Sequence, residues 1–530
     1  MPLPLRYRHL PAAFAKMALL HGRRLLAAAL AAQLTCAPVL AQQAGTGSLP
    51  NSARSTASQL PGMGDASELT ASAERRLGDR IAREIFRDPD YIDDPVLAEY
   101  VDGIWQPLLK AARSRGEMSD ELQQRFAWQI LMGRDRSVNA FALPGGYLGL
   151  HLGLIAVVSS RDELASVLAH ELSHVTQRHI SRLTTKQNAQ TPWIIGAMIL
   201  GALAASKNPD AAGALFTGGQ AVAMQNQLNF SRDMEREADR VGFGVMSDAG
   251  FEPQGFASMF DKLEAASRLN DNGAFPYLRS HPLTSERIAD IRGRLPLGVT
   301  GHMVPPMKPD HAMISARARV LSNYTTIEAL RALVEQAKAP RLAEQPVAVQ
   351  AGTLYAAALA SAQMREFDST PAWTNRLAVL VKADASAQRL ATLLDIELAL
   401  LAGKPAAEIV PSGRAELMLM AQVWMRQGRA AQASAALQAW AAAHPRDAGA
   451  WQMLGRANMA QGQVLRGIRA EAEAQVALLD YAAAMDRFKA AQGLVRDAAA
   501  GVGVDHIEAS IIDTRARQVQ LLLREQALER

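Results

Sequence analysis

Cysteine is all but missing from this chain: of 530 residues, only Cys36 is one. A disulfide framework is excluded, so the fold must rest on core packing. Aromatic residues make up only 5%. Alanine is abundant instead, which favours helices because alanine has the highest helix propensity. The apolar runs Leu25–Leu34 and Trp193–Ala205 fall short of the roughly 20 residues that a bilayer-spanning helix needs.

Acidic residues are absent from positions 1–64. That absence, with Arg23-Arg24, the run Leu25–Leu34 and Val39-Leu40-Ala41 before Gln42, predicts a secretory signal peptide over residues 1–41. Met17 is an alternative start that would give a signal of ordinary length. Cys36 falls inside this segment, and Gln33-Leu34-Thr35 before it lacks the small residues of a lipid-attachment site. The signal also carries the basic excess. Five of the 56 basic residues (Arg6, Arg8, Lys16, Arg23, Arg24) lie in it, which leaves 51 against 52 acidic ones. A near-neutral mature chain lacks the electrostatic footprint of nucleic-acid binding. The expected location is the periplasm, peripheral to the outer membrane, with no transmembrane helix in the mature chain.

The length predicts more than one domain. Residues 42–66, rich in Gly, Ser, Pro, Ala and Gln, read as a flexible leader. Residues 67–310 mix helical and strand-like patterns. Ser137 to Leu150 reads as strand, Pro-Gly-Gly turn, strand. Helical patterns cover about 160–182 and 211–249. Trp193–Ala205 reads as a helix buried at an interface, or alternatively as a mobile lid. Over residues 311–530 the pattern is almost wholly helical. Gly428 and Gly462 stand 34 residues apart in similar surroundings, with Pro445 between them, which is tetratricopeptide-like spacing. Such repeats bury their faces only against neighbours and present a concave surface.

The chemistry concentrates in His170-Glu171-Leu172-Ser173-His174. Residues i and i+4 share a helix face, so both imidazoles can reach one ion, with Glu171 placed to face water. Ser160 and Glu163 predict a capping box for this helix. Leu164, Leu168, Leu172 and Val175 predict an apolar stripe on a face away from the histidines, so that one side is buried and the other open. A third ligand is expected from Asp233-Met234-Glu235-Arg236-Glu237-Ala238-Asp239. Glu235 and Asp239 are again i and i+4; one can bind metal while the other orients a ligand histidine. Glu237 points elsewhere and reads as a solvated charge. Two histidines and a carboxylate leave a fourth position open, the arrangement of a catalytic zinc. His151 and His179 lack ligand spacing and read as structural or exposed.

Asp162-Glu163-Leu164-Ala165-Ser166-Val167-Leu168-Ala169 before the motif, Val175-Thr176-Gln177-Arg178-His179 after it, and Glu235-Arg236-Glu237-Ala238-Asp239 resemble the HtpX/CAAX-prenyl-protease-type zinc metallopeptidases. The resemblance runs from about Leu60 to the C-terminus and is looser over the repeats. It implies one Zn2+ per chain held by His170, His174 and Glu235, with Glu171 catalytic and Asp239 a catalytic-site residue. Side-chain chemistry alone favours an orienting role for Asp239. Arg279-Ser280-His281-Pro282-Leu283-Thr284 resembles the family segment whose histidine caps the zinc, which makes His281 a removable fourth ligand. Asn139-Ala140-Phe141-Ala142 resembles the edge strand that receives substrate.

The fold class expected is therefore mainly α: a zinc metallopeptidase domain with a small β-sheet over 67–310, then a tetratricopeptide-like α-solenoid over 311–530. The function implied is a periplasmic zinc endopeptidase with chaperone activity, acting on unfolded or stalled outer-membrane β-barrel proteins. The β-barrel assembly machinery is the expected partner of the repeats. The alternative is a repeat-based chaperone whose zinc site is mostly inhibited.

Overall fold

The computed structural model describes residues 69–186, 231–268, 275–296, 306–323, 325–498 and 505–528. The expected signal peptide, the leader over 42–66, the run Trp193–Ala205 and the first part (211–230) of the helix expected over 211–249 lie outside them. Helices α1 (Ala71–Arg87), α2 (Pro95–Ser114) and α3 (Asp120–Arg125) precede a small sheet of β1 (Gln129–Gly133), β2 (Ala140–Leu143) and β3 (Tyr147–His151). The strand order is β1-β3-β2, with β1 parallel and β2 antiparallel to β3. The predicted strand-turn-strand is therefore the β2–β3 hairpin, and β2 is an edge. Its turn needs glycine, since Gly145 and Gly146 take φ of 71° and 84°.

Then come α4 (Leu152–Val157), α5 (Arg161–Thr176), α6 (His179–Lys186), α7 (Arg232–Asp248), α8 (Gln254–Arg268), α9 (Tyr277–Ser280) and α10 (Ser285–Arg294). The helix expected over 160–182 is two helices. Arg178 adopts a φ of 53° between α5 and α6. This left-handed conformation, uncommon for a residue with a Cβ, is held by contacts the local pattern does not contain. The Arg178 guanidinium pairs with buried Glu74 at 3.1 Å and also donates to the Leu69 carbonyl.

The cap of α5 is half of the predicted box. Ser160 Oγ accepts from the Glu163 amide at 3.1 Å, but Glu163 Oε2 takes the Ser159 amide rather than that of Ser160. Glu163 also bonds Ser258 and Lys262 of α8, which ties that helix to the start of α5.

The one-sided apolar stripe is a larger correction. Every residue from Glu163 to Thr176 is buried. Helices α2, α7 and α8 and strand β2 surround α5 on all sides. The histidine face is thus interior, not open. Gly242 allows the approach of α7: a Cβ there would sit 3.1 Å from the Ala169 carbonyl and the His170 amide. This close crossing brings the carboxylates of α7 onto His170.

The C-terminal part comprises α11 (Pro309–Ser322), α12 (Ile327–Lys338), α13 (Val347–Gln363), α14 (Thr370–Leu380), α15 (Ala385–Leu401), α16 (Arg414–Arg426), α17 (Ala430–Ala443), α18 (Ala448–Ala460), α19 (Val464–Ala477), α20 (Tyr481–Ala498) and α21 (His506–Leu528). Gly428 and Gly462 have φ of 76° and 72° and close the equivalent helices α16 and α18. Both therefore act as left-handed stops that turn one helix back on the next.

A buried arginine joins the two parts. Arg317 of α11 grips Asp94, the N-cap of α2, at 2.6 and 2.8 Å, and Glu397 of α15 at 2.7 Å. Its removal strands the buried Asp94 carboxylate and takes a partner from the half-buried Glu397. Arg317→Leu is expected to destabilise the protein by about 3–5 kcal/mol, read as a lowered denaturant midpoint. A midpoint equal to that of the parent would refute this account.

Candidate metal centre

His170 and His174 project from α5, Glu235 from α7 and His281 from the end of α9. One ligand atom from each lies within 4.8 Å of the others, and all four residues are buried. The Nε2 atoms of His170 and His174 face each other at 3.0 Å. Glu235 lies 3.5 Å from His170 Nε2 and 3.4 Å from His174 Nε2. His281 Nδ1 stands 3.0 Å from Glu235 Oε1, and its ring stacks on Tyr277 with centroids 4.6 Å apart.

The donor set suits a cation. Two imidazole nitrogens and a carboxylate converge where water is excluded, and such a set repels itself unless protonated or metal-bound. Burial works against an ionised Glu235, yet His281 and His170 beside it hold its carboxyl well below the usual range. Burial also opposes charge on His170, but Asp239 and Glu235 outweigh it and raise that imidazole to about 9. A proton therefore substitutes on His170 for the positive charge that a metal would bring.

Outer contacts fix the ring orientations. Asp239 Oδ1 lies 2.9 Å from His170 Nδ1, off the line of an ideal hydrogen bond. That leaves Nε2 for the ion. On the other ring, His179 Nδ1 meets His174 Nδ1 at 2.8 Å, while His179 Nε2 meets Glu237 at 3.0 Å. Burial lowers His179 to about 4 despite Glu237, so it is neutral near pH 7. Glu237 draws the His179 proton to Nε2, so its Nδ1 accepts from His174 Nδ1–H. The Nε2 of His174 is then bare.

Glu171 places Oε2 2.8 Å from the Ala142 amide of β2. Its Oε1 is buried with no hydrogen-bond partner among the described residues, 3.4 Å from His281 Nε2. Burial raises the Glu171 carboxyl above its ordinary value, the direction suited to a group that must take up and return a proton.

The structure thus places all six predicted site residues together, and Asn139–Ala142 beside them. Sequence reasoning missed three others. His179 follows the break at Arg178, so no helical spacing relates it to His174. Glu237, though partly exposed, bonds His179 and, at 2.8 Å, Arg182. Arg287 of α10 carries no motif, yet it grips Asp239 at 2.6 and 2.8 Å and Glu235 at 2.8 Å. His151 is buried at the end of β3, bonded to Ser137 at 2.9 Å, and takes no part.

Fold and site together define a zinc metalloendopeptidase. Residues 108–295 match the model of Peptidase family M48. It is similar to the beta-barrel assembly-enhancing proteases of Yersinia pestis (28% identical, 87% of this chain and 92% of that one) and of Escherichia coli K12 (27%, 88% and 92%). A Vibrio cholerae relative with a provisional form of that name is 34% identical; the alignment spans 60% of this chain and 63% of the relative's length. The mitochondrial metalloendopeptidase OMA1 of Schizosaccharomyces pombe is 31% identical over 32% of this chain and 47% of its own.

With His170 at about 9, the metal-free protein carries a proton there at neutral pH that a bound ion displaces. Zinc affinity is expected to rise up to about tenfold per pH unit between 6 and 8.5 and then flatten. Calorimetry in buffers of different ionisation enthalpy should show close to one proton released per zinc at pH 7. Proton-independent uptake would contradict the assigned state of His170.

Proposed function

We propose that this chain is a periplasmic endopeptidase of unfolded or stalled outer-membrane β-barrel proteins. In this reading His170, His174 and Glu235 hold zinc, and His281 is a fourth, removable ligand. Residues 67–310 form the peptidase domain. Residues 311–530 form tetratricopeptide-like repeats that dock on the assembly machinery or hold substrate, which gives the protein chaperone activity as well. The observation that carries the reading is the convergence of four ligand atoms beside Glu171 Oε1, which has no hydrogen-bond partner among the described residues. Relatives named for β-barrel assembly, aligned over nearly their whole length, support the substrate class. The acid-free, arginine-bearing N-terminus supports the location.

Zinc would supply a Lewis acid for the scissile carbonyl and lower the pKa of water. Glu171 accepts the proton of the attacking water and returns it to the leaving amine as the C–N bond breaks. Asp239 holds the His170 ring and, in this reading, is a positioning residue, not a proton donor. The outward-facing groups of β2 offer main-chain hydrogen bonds to an extended substrate, with little demand on its sequence.

Glu171→Gln is expected to lower cleavage of an unfolded protein by about 100- to 10,000-fold with zinc content unchanged. His281→Ala should raise cleavage at unchanged zinc content. If both variants cleave as the parent does, the assigned site is wrong. In cells, rescue of barrel assembly by Glu171→Gln would separate a holding function from cleavage.

A further inference from the structure

Arg287 uses its planar guanidinium on three anchors at once. Nε and Nη2 donate to Asp239 at 2.6 and 2.8 Å, and Nη1 lies 2.8 Å from Glu235 Oε2. The same Nη1 donates to the Pro282 carbonyl at 2.9 Å. The residue is 4% exposed and lies over the Phe260 ring, 5.3 Å from its centroid. Two of these anchors are carboxylates that touch opposite nitrogens of His170. The third belongs to the residue directly after His281, whose ring leans on that same Glu235.

A guanidinium is rigid, so its donors cannot move independently. If Pro282 leaves, the plane must tilt or lose a bond, and the donor at risk is the one shared with Glu235. Conversely, a firmly held Asp239 fixes the plane and keeps Pro282 seated. The connection is short as well: α10 starts only three residues after Pro282, with Thr284 as its N-cap.

We propose that Arg287 is a positioning residue that couples the His281 segment to the carboxylates of the metal centre. With the segment seated, Glu235 and Asp239 are both clamped. With it displaced, Nη1 is released and Glu235 gains freedom to adjust as a ligand. Departure of His281 and relaxation of Glu235 are thus one event. This rests on the reading that His170, His174 and Glu235 hold the metal.

The test uses the full chain as parent, Arg287→Lys, His281→Ala and the double variant, with Co2+ as the probe. Three quantities are read: the visible cobalt spectrum, the rate of cobalt loss to excess chelator, and hydrogen exchange over Tyr277–His281 in metal-free protein. Lysine keeps the charge but cannot span three anchors. Arg287→Lys should therefore speed cobalt loss by about 10- to 100-fold, shift the spectrum towards that of His281→Ala, and quicken exchange in the segment. With His281 already removed, Arg287→Lys should leave the spectrum alone and speed loss by a smaller factor. Equal factors in both backgrounds would mean independent roles and overturn the coupling. Parental spectrum and exchange in Arg287→Lys would overturn it too.

Asp239→Asn approaches from the far end and serves if the lysine variant does not fold. It removes the charge that fixes the guanidinium and should quicken exchange at Tyr277–His281, although it touches neither residue; unchanged exchange overturns the coupling. Parent protein that takes up no cobalt refutes the metal reading instead, since the exchange measurement needs no metal.

Discussion

The constraint on which this structure turns is that α5, the helix bearing His170, Glu171 and His174, is buried on every side. Buried ionisable groups are tolerated only when each has a partner. The surrounding elements therefore have to supply partners as well as packing. Helix α7 brings Glu235 and Asp239, α6 brings His179, α10 brings Arg287, and β2 gives the Ala142 amide to Glu171. Most of these contacts satisfy a polar atom that water cannot reach, and each also restrains an orientation. Stability and site geometry are consequently set by the same contacts, and a loosened partner is felt in both.

What could be read from the sequence follows from how local each signal is. The i, i+4 pairs His170/His174 and Glu235/Asp239 are properties of one helix, and so are caps such as Ser160. The Pro-Gly-Gly turn is likewise local. The 34-residue spacing of Gly428 and Gly462 is visible because both need a left-handed backbone at equivalent helix ends. The burial of α5 was not visible, because its apolar stripe says which face is buried first, not what covers the rest. His179 was hidden by a helix break whose cause, the buried Glu74 under Arg178, lies a hundred residues upstream in α1. Arg287 was hidden because an arginine amid Ser-Glu-Arg-Ile on a short, charged helix looks like a surface residue until α7 is laid against it.

The same reasoning extends to the helical hairpins. Ion pairs cross from the peptidase part to the C-terminal part at several points besides Arg317. Arg389 reaches Glu99 at 2.6 Å while holding Glu416, and Arg414 reaches Asp93 at 2.7 Å while holding Asp447. In each case one arginine bridges a carboxylate on either side, so sliding the parts apart would break charges on both. Exposed single pairs contribute little, but Arg317 is buried and the others flank it. These pairs tie α11, α15 and α16 to α2 and the residues just before it.

Burial of the metal centre sharpens the problem of access. The Asn139 carbonyl takes the His151 amide, so alternation turns Phe141 and Leu143 towards β3 and leaves Val138, Ala140 and Ala142 facing the open edge. Two of those three are already engaged by the site itself. The Ala142 amide donates to Glu171, and the Val138 carbonyl accepts from Tyr277, the first residue of the helix that ends at His281. An extended chain that paired along β2 and on past Asn139 would compete with the Tyr277 bond at one end and meet Glu171 at the other. Tyr277 also stacks on His281, so in the proposed reading a chain that displaced the Tyr277 bond would also loosen the ring over the centre. Occupation of the edge and exposure of Glu171 are in that sense competing uses of the same few backbone groups.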